Sequence, residues 1–180
     1  MIALKVILPR QPDIILSGIN LGPNLGADVT YSGTVAAALE GTLLGIKSVA
    51  VSLDTRVKTD FSSAAKISEK IVYHVLKHGL PPETLLNVNI PLLPYAEIKG
   101  MRITQLGRRI YNEGVIAKQD PRGREYYWIG GEEPGFHLEA GTDFEAMEHG
   151  EVSITPLHFD STNHSVLGEL ETWLANDLTL

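Results

Sequence analysis

Apolar positions recur along this chain with two different periods. Ile14, Ile15 and Leu16 form a short continuous run between Pro12 and Gly18, which predicts a buried strand at about Asp13–Ser17. From Ser32 to Leu44 the spacing is helical, and Gly45 follows as a C-terminal stop. KSVAVSL (47–53) reads as a second buried strand. After Asp60 a longer helix places Ala64, Ile67, Ile71 and Val75 on one face and ends before Gly79. TLLNVNIP (84–91) is a third strand. MIALKVIL, with Leu4, Ile7 and Leu8 at helical spacing, would be a helix ahead of them all. The alternation of helix and strand predicts an α/β fold, a parallel sheet with helices on both sides. Near-continuous apolar strands suit such a sheet.

The second half has another rhythm. GMRITQLGRR and REYYWIGG alternate like strands, and Asp120, Pro121 and Gly123 occupy the first, second and fourth positions of a type I turn between them. A long antiparallel arm is expected from about Gly100 to Gly131. EVSITPL reads as a further strand and NHSVLGELETWL as a C-terminal helix. The expected organisation is one domain over 1–180: an α/β core to about 95, an arm over 100–131, and a closing strand and helix over 140–180. The opening helix has nothing before it to serve as a cap, so the chain reads as entering its fold in the middle.

Composition narrows the chemistry. Hydrophobic residues make up 43% and charged residues 21% of the chain, which is enough apolar material for a normal core. No apolar run approaches the roughly 18–20 residues of a membrane span. The first ten residues lack a basic segment and a small-residue cleavage site, so a cytoplasmic protein with no membrane partner is expected. With no cysteine there is neither a disulfide nor a thiolate metal site. A net charge of −7 makes a nucleic-acid duplex a poor partner.

Between the first strand and the next helix lies SGINLGPNLGADVTYSGT (17–34), small, polar and charged only at Asp28. Ligands of parallel α/β sheets bind beyond the carboxyl ends of the strands. Glycines let the backbone approach a ligand, and a helix N-terminus suits a phosphate. Asn20 and Asn24 add neutral oxygens fit for a hard cation or for hydroxyls. Spacing alone leaves two readings open: a ligand-binding loop, or a structural loop with glycines for turns and Ser32 as helix cap. Gly18, Gly22 and Gly26 match no dinucleotide fingerprint, and no Gly-Lys-Ser/Thr marks a P-loop.

PDIILSGINLGPNLGADVTYSGTVAAALEGTLLGI (12–46) resembles the signature of the SurE survival-protein family, metal-dependent 5′/3′-nucleotidases and acid phosphatases. The likeness continues through KSVAVSL, LLNVNIP, KGMRITQLGRR, QDPRGREYYWIGG, GTDFEAMEHGEVSITPLHFD and the final ETWL. It implies a Rossmann-like three-layer parallel sheet with a protruding hairpin arm and a C-terminal helix. It implies a divalent cation, Mg²⁺ or Mn²⁺, with Asn20 as a ligand. It places Asn24, Ser32, Gly33 and Thr34 around the phosphate of a nucleoside monophosphate. It also implies a homodimer or homotetramer in which arm and C-terminal helix are exchanged. The family's strand ending in Asp-Asp, and a downstream Ser that completes the cation's ligands, have no counterpart here. The chain is therefore expected to be N-terminally truncated relative to the family, with the catalytic pair ahead of Met1 and no catalytic residue of its own. The implied function is hydrolysis of nucleoside monophosphates; the alternative is a non-catalytic binding or assembly module.

The remaining candidates read blandly. His74 and His78 share a helix face, as a metal pair would, but a solvated helix end is the expectation. Glu132–Glu133 reads as loop, and Asp143, Glu145 and Glu148 as a solvated helix face. Tyr126, Tyr127 and Trp128 are expected to pack within the arm or across a subunit interface rather than to stack a base.

Overall fold

The computed structural model describes residues 1–110, 114–129 and 135–177. Glu132–Glu133 and the expected end of the arm at Gly131 lie outside them. The first half runs β1 (Ile15–Leu21), α1 (Gly33–Leu43), β2 (Ser48–Asp54), α2 (Ser62–His78) and β3 (Thr84–Pro91). The second half adds β4 (Met101–Ile103), β5 (Arg109–Ile110), β6 (Val115–Gln119), β7 (Glu125–Ile129) and β8 (Gly135–Phe136). It ends with α3 (Asp143–Glu148), β9 (Val152–His158) and α4 (Leu167–Asp177). Five strands form one sheet in the order β1-β2-β3-β9-β4. β1, β2 and β3 are parallel, β9 is antiparallel to β3, and β4 is parallel to β9.

Strand alternation divides the core between the two faces of the sheet. Val49, Val51 and Leu53 of β2, with Val88 and Ile90 of β3, meet Ala64, Ile67, Ile71 and Val75 of α2 on one face. Ala50 and Leu85 meet Val35 and Ala38 of α1 on the other. β2 is buried along all but its last residue because both faces are covered. α1 closes as the sequence suggests. The Ile46 N–H donates to the Gly41 carbonyl at 3.0 Å and the Gly45 N–H to the Thr42 carbonyl at 2.9 Å, with Gly45 at φ +76°. This is a Schellman motif, which needs a left-handed residue.

Three expectations change. The opening helix is a single π-helical turn, Ala3–Ile7, with no buried residue. An uncapped apolar stretch with nothing to pack against gains too little to propagate further. β1 extends beyond Ser17 to Leu21, because pairing with β2 resumes after a register shift: Ser17 faces Ala50 and Asn20 faces Ser52. Antiparallel pairing in the arm is made by β6 with β7 and by β5 with β8. Met101–Ile103 instead pairs with β9 at the edge of the main sheet. Alternation marks a half-covered strand but not its partner. The expected turn is present: the Gly123 N–H donates to the Asp120 carbonyl at 2.9 Å, and the Asp120 carboxylate accepts from the N–H groups of Arg122 and Arg124 at 2.8 and 2.9 Å.

Two residues of α2 test the layering. Ile71 is 5% exposed and Tyr73 61% exposed. Ile71→Ala is expected to cost about 2–5 kcal/mol, while Tyr73→Ala stays within about 0.5 kcal/mol. Urea denaturation of both variants checks this.

Candidate functional site

The sheet register aligns polar side chains across four strands. Asn20 faces Ser52, Ser52 faces Asn89 and Asn89 faces Ser153. Two residues earlier on β3, Asn87 faces Thr155. Ser52, Asn87, Asn89 and Ser153 are fully buried and Thr155 nearly so. Burial of so many polar groups calls for hydrogen bonds; apart from Asn87 Oδ1, which is buried without a partner, the bonds run continuously around the glycine-rich loop. The Ser52 hydroxyl donates to Asn20 Oδ1 at 2.9 Å and accepts from Asn24 Nδ2 at 2.6 Å. Asn24 Nδ2 also reaches Asn20 Oδ1 at 3.4 Å. Asn89 Oδ1 accepts from the Asn24 N–H at 2.7 Å, and its Nδ2 donates to the Asn24 carbonyl at 3.1 Å. Asn87 Nδ2 donates to the same carbonyl at 2.8 Å. Asn20 Nδ2 closes the loop on the Gly22 carbonyl at 2.8 Å.

Asn20 and Asn24, singled out from sequence, are thus brought together at the carboxyl ends of β1 and β2. Asn20 lies in the strand rather than past it. Ser32, Gly33 and Thr34 begin α1. Ser32 Oγ accepts from the Val35 N–H at 3.1 Å, the bond of an N-cap. The capping half of the structural-loop reading is therefore present. The first turn of α1 carries no acidic residue, so its N–H groups face no carboxylate of that turn.

A second anchor holds the far end of the loop. Asp143, expected on a solvated face, is fully buried at the start of α3. Its carboxylate accepts from the N–H groups of Gly26 at 2.7 Å, Gly107 at 2.8 Å and Phe144 at 3.0 Å. Burial pushes the carboxyl above its ordinary value, against the pull of these donors. Gly26 has φ +52°, and a Cβ there would stand 2.5 Å from the Gly107 carbonyl oxygen, so only glycine lets the two segments meet. Glu145 is also engaged, accepting from Arg102 Nη1 and from the Gly141 N–H, each at 2.8 Å. Asp28, the lone charge of the loop, pairs with Arg109 Nη2 at 2.5 Å.

Sequence reasoning missed Ser52, Asn87, Asn89 and Asp143. The signal for the first three was the period-2 placement of polar residues in SVAVS and NVN, which points them to one face of an otherwise apolar strand. Of the remaining candidates, His74 and His78 stack on each other with centroids 5.8 Å apart. Tyr126, Tyr127 and Trp128 are exposed on β7. Among the described residues, no three His, Asp or Glu side chains gather to hold a metal ion, and no helix is long and apolar enough to cross a membrane.

A three-layer α/β core of mostly parallel strands with a glycine-rich loop at its strand ends defines a protein of the Rossmann-like fold class. Comparison with known proteins gives its family. The model of Survival protein SurE matches residues 1–113. A 5′-nucleotidase SurE of Symbiobacterium thermophilum is 49% identical over 172 residues, covering 96% of this chain and 67% of that protein. One of Aquifex aeolicus is 51% identical over 168 residues, covering 93% and 67%. The crystal structure of the SurE protein from Aquifex aeolicus superposes with a TM-score of 0.83 at 50% identity, over 95% of this chain and 69% of that one. The chain belongs to the SurE family. It spans about two thirds of the length of these relatives.

Asp143 carries the prediction of this site. An Asn in its place turns a donor toward one of the backbone N–H groups and leaves it unpaired. Asp143→Asn is expected to cost about 1–3 kcal/mol and to speed hydrogen exchange at Gly26 and Gly107. Guanidinium denaturation and amide exchange measure the two effects.

Proposed function

We propose that the chain serves a metal-dependent phosphatase that hydrolyses nucleoside monophosphates to nucleoside and phosphate. The observation that carries this reading is the bonded array of Asn20, Ser52, Asn24 and Asn89, which fixes the glycine-rich loop at the strand ends. Family membership and the names of the relatives support it. In this reading the N–H groups of Gly33 and Thr34 and the Thr34 hydroxyl bind phosphate, helped by the positive end of α1. Ser32 can donate its hydroxyl proton while its oxygen caps the helix. Asn24 orients the substrate, and Asn20 is the ligand this chain offers to Mg²⁺ or Mn²⁺.

The residues of this chain do not by themselves fit such a cation. Asn20 contributes one neutral oxygen that already accepts from Ser52 and Asn24. Mg²⁺ is ordinarily held through one or two carboxylates. No catalytic step is therefore assigned to the ion here. Phosphate-monoester hydrolysis requires accelerations up to about 10²¹-fold, whereas a helix N-terminus gives an anion about 0.3–2 kcal/mol. Residues 1–180 alone are expected to show little or no turnover of a 5′-nucleotide with Mn²⁺. A chain extended with the family's Asp-Asp strand is expected to turn over, and Asn20→Ala in it to reduce both rate and Mn²⁺ affinity. Robust metal-dependent turnover by the 180 residues alone would contradict the assignment. A second reading, a non-catalytic binding or assembly module, is favoured because no three His, Asp or Glu side chains gather to hold a metal ion among the described residues; inactivity of the extended chain would support it.

The same reading includes self-association. Val115, Tyr127 and Trp128 on the β6–β7 hairpin are 62–65% exposed, and Trp173 and Leu174 on α4 53% and 57%. Apolar surface of this extent suits an interface. A homodimer or homotetramer is expected in sedimentation, and Trp128→Glu is expected to shift it toward smaller species.

A further inference from the structure

We infer that Ser52 is a positioning residue of the glycine-rich loop: its hydroxyl fixes which way the amide of Asn24 faces, and so makes that side chain an acceptor toward a ligand. The orientation starts from two backbone carbonyls. Asn20 Nδ2 lies 2.8 Å from the Gly22 carbonyl oxygen and 3.2 Å from that of Leu21. A carbonyl only accepts, so the NH2 end of Asn20 must face these two and its oxygen must face Ser52. Asn20 Oδ1 only accepts as well. The Ser52 hydroxyl, 2.9 Å from it, therefore gives its single proton there. Ser52 Oγ is then left to accept from Asn24, whose amide nitrogen stands 2.6 Å away. Ser52 is fully buried, so bulk water offers none of these groups a competing partner through it. The NH2 of Asn24 is thus turned toward the sheet by a residue 28 positions further along the chain.

Asn24 has one polar atom left. Its N–H and carbonyl are held by Asn89, and the carbonyl by Asn87 as well. Its Nδ2 is held by Ser52 and reaches Asn20 Oδ1 at 3.4 Å. Oδ1, the opposite end of this half-buried amide, makes no hydrogen bond among the described residues. A free amide oxygen attracts a proton donor and repels an ionised phosphate oxygen. The consequence for a ligand rests on the phosphate reading above. Gly33 and Thr34 hold the anion, and Asn24 accepts from a hydroxyl of the same ligand. Two asparagines and one serine in this order therefore separate an anion-holding side of the loop from an acceptor side.

Hydrogen exchange of the Asn24 side chain, followed by NMR, reads the orientation directly. In the unmodified chain its NH2 protons are expected to exchange slowly. Sulfate, an anion with no proton to give, is expected to move the backbone amides of Gly33 and Thr34 and leave this NH2 unmoved. Ser52→Ala removes the acceptor, and Asn20→Ala frees the Ser52 proton so that the Asn24 amide can turn round. Either variant is expected to speed exchange of the Asn24 NH2 about tenfold, the effect of one lost hydrogen bond, and to make it respond to sulfate. The Asn24 backbone N–H, bonded to Asn89 and not to Ser52, is expected to keep its rate. An Asn24 NH2 that exchanges freely or follows sulfate in the unmodified chain would overturn the inference. So would a side-chain rate unchanged in either variant, or side-chain and backbone protons that speed up together, the mark of a loop merely loosened. Silent Gly33 and Thr34 amides would instead overturn the phosphate reading and leave the exchange rates to decide the role of Ser52.

Discussion

Asn24 is treated by its surroundings as though it belonged to a further strand. The side-chain amide of Asn89 accepts its N–H and donates to its carbonyl, and Asn87 donates to that carbonyl as well. A loop that is to receive an anion, as proposed for this one, has to expose its own donors. It cannot be held by the usual backbone ladder, which would use them up. Two buried asparagines on β3 resolve that conflict by anchoring one residue of the loop from below. Each such bond is worth about 0.5–1.5 kcal/mol net. Breaking one also strands its buried partner, so the anchor is firmer than the sum suggests.

The neutrality of the array matters as much as its connectivity. Every side chain between Asn20 and Ser153 in the aligned row is an amide or a hydroxyl. Carboxylates there would repel a phosphate and, once buried, would need paired cations or several N–H donors of the kind Asp143 has. Three of the acids nearby are engaged elsewhere: Asp28 by Arg109, Asp143 by backbone N–H groups, Glu145 by Arg102. The rim can therefore be electrostatically mild although the chain as a whole carries a net charge of −7.

Most of the core was legible in the sequence because it depends on local periodicity. Ala64, Ile67, Ile71 and Val75 fall on one face at 3.6-residue spacing, and α2 buries all four. Gly45 and Gly123 mark a helix end and a turn for backbone reasons that one residue can state. The misreadings concern pairing at long range. GMRITQ alternates whether it joins a hairpin or the sheet edge, and only β9 decides between them. Asn20 and Asn24 were found because they sit in an obviously polar stretch. Asn87 and Asn89 were overlooked because they sit inside an apolar one. Asp143 looked like surface because its partners are the backbone N–H groups of Gly26, Gly107 and Phe144, which leave no trace in a pattern of side chains.

The antiparallel direction of β9 has a consequence for how this rim comes into being. A strand that runs against β1, β2 and β3 begins where they end, so the helix that leads into it is delivered to the same edge as the glycine-rich loop. That is how Asp143 meets Gly26 across 117 positions of chain. Contacts of such separation are slow to form, since the intervening chain has to be closed first. β1, β2, α1 and α2 can come together from neighbouring segments, but the loop between β1 and α1 gains its second anchor only when β9 joins the sheet. During synthesis the first half of the chain would emerge with its core able to assemble and the loop held only at Asn24 by β3, and the arrival of α3 and β9 would then fasten Gly26.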